Sequence, residues 1–214
     1  MIILIALILI ILILIVVATA DRHRCTLPRS EVQKDWGYMT LVCIASVRVQ
    51  IQIEIEATLK YLSMAAYFSR DTVNKPGLAE FYFKTADTKR QHALRLMEYL
   101  SINGHLEDSR THLIHLSGVE KNEWIDAAES LSDALYLQAT VIRRMKTMLH
   151  KCENLHLRRH HIVRYLSSVY LDEQYEIQRQ ILTNLFTIKK ITLDQKTLGE
   201  FVFDKKLLKN FNNI

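Results

Sequence analysis

After Gly118 the chain runs 80 residues, as far as Gly199, without a glycine or a proline. Tyr38 to Lys75 and Leu78 to Asn103 are equally free of both. Gly and Pro punctuate turns, so uninterrupted stretches this long leave room for helices and little else. With 5 Gly and 2 Pro in 214 residues, a turn-rich β-sandwich or barrel is excluded, and so is a flexible linker protein. The length allows one domain, at most two.

The apolar spacing predicts four long helices and a short fifth. Tyr38–Lys75 holds the first. The second, Ala79–Leu100, places Phe81, Thr85, Thr88, His92, Arg95 and Tyr99 at helical spacing. The third, Trp124–Leu149, carries a near-heptad series: Ala127, Ala128, Leu131, Ala134, Leu135, Val141, Ile142, Met145 and Leu149. The fourth is expected over Leu157–Thr187 and the fifth over Thr192–Leu207. One stretch disagrees, because Val47–Glu56 alternates apolar and polar residues strictly, the period of a strand. Ala57–Ala66 continues it with good helix formers and no turn signal, so one continuous helix is the simpler assignment.

The connections set the topology. Asn74-Lys75-Pro76-Gly77 is a tight turn, which makes the first two helices antiparallel neighbours. An extra proline at Gly77 is expected to be tolerated there, whereas loss of the Trp124 indole should cost about 3 kcal/mol. Gly104–Glu120 is long for a bundle loop. Fully extended it reaches ~55 Å, against ~39 Å for a 26-residue helix, so it can run the bundle's length. The result is an all-α four-helix bundle with one long crossover connection and a short fifth helix.

The chain's front end is of another kind: 19 of the first 20 residues are apolar, Thr19 being the exception. The aliphatic run Ile2–Val17 followed by Ala18-Thr19-Ala20 has the pattern of a secretory signal (residues 1–20), with cleavage before Asp21 and no membrane association afterwards. An uncleaved anchor is the alternative, since no Lys or Arg precedes the run. Removing the segment leaves an apolar share of roughly 44%, ordinary for a domain with one core. Cys25, Cys43 and Cys152 leave at least one thiol without an intrachain partner; a Cys25–Cys43 bridge and three free thiols are both open. The net charge of +5, from 28 basic and 23 acidic residues, is spread along the chain. Its densest cluster, His156–His161 with Arg164, has no aromatic interleaving or nucleic-acid module, so nucleic-acid binding is not expected. His160 and His161 are adjacent and do not share a helix face, which disfavours a metal site there.

Several segments, in this order, resemble ferritin. Ile53-Glu54-Ile55 with Tyr61–Asp71 is similar to its first helix and exit, Arg90–Met97 to the second, Tyr170–Gln174 to the fourth, and Leu198–Lys205 to the fifth. Phe68–Gly77, the signal segment and the early cysteines look most like the heavy-type subunit of arthropod secretory ferritins. The resemblance implies a signal peptide, an N-terminal extension over 21–45, a ferritin-like di-iron domain over 46–208 and a tail over 209–214. It further implies a hollow cage of twenty-four subunits, homo- or hetero-oligomeric, that oxidises ferrous iron and stores it as ferric mineral. Carboxylates with one imidazole suit the two irons of its ferroxidase centre.

The resemblance places ligands at Glu54 and His92, with Tyr61 beside them, Gln138 on the third helix, and Glu173 and Gln174 on the fourth. Lys89 stands where the family's bridging carboxylate belongs, and Gln138 replaces another carboxylate. Lysine has no acceptor and brings positive charge to the place of a dication, so Lys89 is expected to pair with Glu54 across the bundle. Asp172, Glu173 and Glu176 are alternatively only a solvated face. At the threefold channel, where carboxylates would line iron's entry, the chain has Arg164 and Ser167, and the cavity face carries Lys84, Asp87, Thr88 and Gln91. The leading expectation is a non-catalytic iron-storage subunit, with iron bound only as stored mineral, co-assembling with a ferroxidase-competent one in the secretory pathway or outside the cell. The alternatives are an active ferroxidase with a distorted site of Glu54, His92 and Gln174, and a membrane-retained pseudo-ferritin that modulates assembly.

Overall fold

The computed structural model describes residues 39–102, 114–115, 118–153, 163–164, 166–193 and 195–212. Its helices are α1 (Leu41–Ser69), α2 (Pro76–Ile102), α3 (Ala127–Glu153), α4 (Leu171–Ile191, entered through a π-helical turn at Leu166–Tyr170) and α5 (Lys196–Asn212). Among the described residues there is no strand. The expected start of the fourth helix at Leu157, the cluster His156–His161 and Cys25 lie outside the described residues, as does the leader.

Val47–Glu56 is helical despite its alternation. Val47, Gln50, Ile51, Glu54, Ala57, Thr58 and Tyr61 are the buried positions, spaced three and four apart, so one helix face turns inward. Thr40 caps α1 by accepting from the Cys43 N–H at 3.3 Å. The exit turn brings Asn74 to φ 48°, a left-handed conformation that Asn tolerates, and Pro76 opens α2, where its missing N–H costs nothing.

Helix directions follow from the contacts. Cys43 at the start of α1 is disulfide-bonded to Cys152 at the end of α3, and Tyr61 late in α1 donates to the carbonyl of Ala134 early in α3. Tyr61 also stacks with Tyr82, early in α2. Thus α1 is antiparallel to both α2 and α3, and α2 and α3 run the same way. That requires a connection running the length of the bundle. Its described residues track α1 upward: His115 pairs with Gln52, Lys121 accepts from Ser63, and Trp124 accepts from Tyr67. The bridge joins Cys43 to Cys152, correcting both a Cys25–Cys43 pair and three free thiols.

Helix α5 seals the end of the bundle where α1 turns into α2. Asp204 accepts from the Leu78 N–H at 2.9 Å, and Glu200 accepts from the Ala127 N–H and from Lys75. Carboxylates from one helix therefore cap the N-termini of two others. Gly77 makes this approach possible, because a Cβ there would lie 2.1 Å from the Asp204 carbonyl oxygen. The expected tolerance of proline at Gly77 is thereby corrected: the residue faces the α5 backbone, not an open turn. Trp124 is buried as expected, with its indole N–H donating to Asp133 at 2.9 Å.

Candidate functional site

At mid-bundle the four long helices place six polar side chains among the apolar layers. Glu54, Lys89, Gln138 and Gln174 are wholly inaccessible, and Gln50 and His92 nearly so. Two apolar clusters flank them, one around Tyr61, Phe68, Tyr82 and Leu131, the other around Val47, Leu96, Met145 and Tyr170. Buried polar groups need partners, and here they find one another.

Gln174 is the hub. Its amide nitrogen donates to Glu54 Oε1 and His92 Nδ1, each at 2.9 Å, while its oxygen accepts from Lys89 Nζ at 2.5 Å and Gln138 Nε2 at 2.8 Å. All four hydrogen-bonding capacities of one amide are used. Gln138 also donates to the Gln174 carbonyl, and Gln50 donates to Glu54 Oε1 at 2.9 Å. The sequence reading missed Gln50; its signal was a position four residues before Glu54 on the same face.

His92 is gripped by residues at 170, 173 and 174, one helical face where the π-helical turn passes into α4. Tyr170 packs on its ring with centroids 4.5 Å apart, Glu173 meets Nε2 at 2.7 Å, and Gln174 meets Nδ1. With Nδ1 accepting, Nε2 carries the proton and donates to Glu173. Arg95 holds the same carboxylate at 3.1 Å. Glu173 is therefore more than solvated face, although it contacts the outer side of His92 and not the central cluster.

Lys89 Nζ lies 3.9 Å from Glu54 Oε2, as does His92 Nδ1. Burial lowers the Lys89 pKa to about 8, with the Glu54 carboxylate opposing that fall. Burial pushes the Glu54 carboxyl upward, and the Lys89 charge pulls against that shift. His92 falls to about 4, first through burial and then through the Lys89 charge, so its ring is neutral. Tyr61 points its hydroxyl at the Ala134 carbonyl, with no bond to this cluster.

The arrangement is a poor host for two dications. The oxygen and nitrogen atoms that would face metals at Gln174 and His92 are committed to one another and to Lys89. Glu54 Oε2 and the Gln138 oxygen are buried without a hydrogen bond, but Oε2 faces an ammonium. A positive charge about 4 Å from a dication costs roughly 8 kcal/mol at an effective dielectric near 20. On the adjoining surface Lys84 and Asp87 are exposed, Thr88 and Gln91 half-buried, and Asp87 is engaged by Arg90 at 2.7 Å. Arg164 is exposed and its carbonyl accepts from Ser167.

A four-helix bundle with one long crossover connection, a short fifth helix and a buried polar layer at mid-height has the architecture of the ferritin-like helical proteins. The ferritin-like domain family matches residues 44–191, and the chain belongs to the ferritin family. It is 46% identical over 184 residues to the ferritin heavy chain of Drosophila melanogaster, covering 86% of this chain and 90% of that one. It is 38% identical to that of Papilio xuthus, over 86% of this chain and 88% of the other. The crystal structure of Trichoplusia ni secreted ferritin superposes with a TM-score of 0.80 at 37% identity, covering 86% of this chain and 97% of that one.

Proposed function

We propose that this chain is a ferritin subunit that builds an iron-storage cage without oxidising iron itself, and that it co-assembles with ferroxidase-competent subunits. The observation that carries this reading is Lys89, whose ammonium donates to Gln174 and faces Glu54 where a bridging carboxylate would be needed. The substrate, ferrous iron, needs anionic oxygens that this centre does not offer in sufficient number. The relatives named above are heavy chains, and the neighbouring crystal structure is of a secreted ferritin. The Cys43–Cys152 bridge and the aliphatic leader support the same oxidising secretory compartment for this chain.

Anaerobic titration of the purified, assembled protein with Fe(II), with particle size followed by light scattering, tests the reading. It predicts cage-sized particles without a tight pair of irons per subunit. Two tightly held irons per subunit would overturn it in favour of an active centre at Glu54, His92 and Gln174.

A further inference from the structure

Beside the Cys43–Cys152 bridge, α1 and α3 leave a groove of about 290 Å³ between them. Arg144, Thr147 and Lys151 line it from α3, three and four residues apart on one helix face. Ser46 and Gln50 line it from α1, with Val42 and Val49 at its edges. The charge along these walls is of one sign. Residues 41–53 carry Arg48 and no carboxylate, and residues 141–152 carry Arg143, Arg144, Lys146 and Lys151 and no carboxylate. Arg144 and Lys151 are exposed, and among the described residues neither is held in an ion pair.

The neutral polar groups of the groove have the opposite need. Gln50, at its floor, is 1% exposed. Its Nε2 donates to Glu54 Oε1 at 2.9 Å, which fixes the amide, since the amide oxygen would be repelled by that carboxylate. Gln50 Oε1 is left buried with no hydrogen bond, a costly state until a donor reaches it. The two hydroxyls spend their protons within their own helices, Ser46 on the Val42 carbonyl at 2.7 Å and Thr147 on the Arg143 carbonyl at 3.1 Å, so both offer lone pairs. A ligand that fits must therefore bring negative charge for Arg144 and Lys151 and a proton for Gln50.

We propose that this groove binds hydrogen phosphate, its anionic oxygens toward Arg144 and Lys151 and its P–OH donating to Gln50 Oε1. Inorganic phosphate keeps at least one proton at neutral pH, and its bonds to guanidinium and ammonium are of the strong, charge-assisted kind. Sulfate has the same shape but no proton, so it meets Gln50 with a lone pair. A phosphomonoester loses its last proton at about pH 6 and is disfavoured in the same way. Through Gln50 the ligand stands one hydrogen bond from Glu54, so occupancy also steadies the amide that supports the buried cluster. The site does not depend on whether that cluster oxidises iron.

The test is isothermal titration calorimetry of the whole assembled protein, freed of iron and held at neutral pH and constant ionic strength, with sodium phosphate and with sodium sulfate. Phosphate is expected to bind once per subunit, and sulfate about tenfold more weakly, the worth of one hydrogen bond to an ion. Arg144→Gln with Lys151→Gln, both at the exposed rim, should weaken phosphate by about tenfold or more. Gln50→Leu should lower phosphate to the sulfate level and leave sulfate unchanged. Where Gln50→Leu fails to assemble, the phosphate-to-sulfate ratio of the parent reads the same contact. Equal affinity for the two anions in the parent would mean a general cationic patch and would overturn the proposal. So would phosphate binding that survives the loss of Arg144 and Lys151, or a parent that binds no phosphate.

Discussion

Lys89 Nζ and Glu54 Oε2 lie 3.9 Å apart with both side chains wholly buried, so an ammonium faces a carboxylate inside the bundle. Such a pair adds little net stability, because each ion loses its hydration, but breaking it strands a charge. Lys89→Met is therefore expected to cost about 3–5 kcal/mol. Lys89→Met combined with Glu54→Gln should recover most of that loss. Urea unfolding of the parent, single and double variants measures it, and equal losses in the two variants would mean the pair is not coupled.

His92 should contribute a specific acid sensitivity. Its folded value of about 4 lies below the ordinary 6.5, so the unfolded chain binds the extra proton. The contribution is fully present above about pH 6.5 and is lost as the pH falls toward about 4. Denaturation midpoints across this range should fall more steeply for the parent than for His92→Gln. Parallel curves would refute the assignment of a neutral, buried imidazole.

The Cys43–Cys152 bridge closes a loop with a sequence separation of 109, from the first turn of α1 to the last turn of α3. Bridges over loops this long contribute typically about 2–4 kcal/mol through the unfolded chain. Cys152→Ser should lower the melting temperature accordingly, and mass spectrometry of the unreduced parent should recover the Cys43–Cys152 linked peptide. An intact Cys25–Cys43 linkage would contradict the pairing.

Gly77→Ala should loosen α5, because the new methyl would sit 2.1 Å from the Asp204 carbonyl, a backbone atom that cannot swing aside. Limited trypsin digestion is expected to cut at Lys205 and Lys206 faster than in the parent. Unchanged digestion would show that the contact relaxes without undocking the helix.

The four long helices were legible because so few glycines and prolines interrupt the chain, and the crossover because a bundle loop of that length has few other uses. The strand-like alternation of Val47–Glu56 was legible only in context, since Gln50 and Glu54 are polar and yet face the core, hiding the helical stripe. That Lys89 faces Glu54 was legible only through the resemblance, which sets Lys89 at the first position of the family's Glu-x-x-His. The role of Gln174 as hub was not legible, because an amide's four partners come from three other helices. Nor was the Cys43–Cys152 pairing, which depends on α1 and α3 being antiparallel. The need for glycine at position 77 is set by the carbonyl of Asp204, which local sequence does not report.

Lys89→Glu with Gln138→Glu reverses the two substitutions proposed to silence the centre. The most direct measurement is the initial rate of aerobic Fe(II) oxidation by the parent and by the Lys89→Glu/Gln138→Glu variant, both assembled to the same particle size. The double change shifts the local charge by −3, two units at Lys89 and one at Gln138, while Glu54, His92 and Gln174 keep their places. The account predicts oxidation at the rate of protein-free buffer for the parent and a rapid, saturable phase for the variant. A parent as fast as the variant would contradict it, and so would an assembled variant that stays inert.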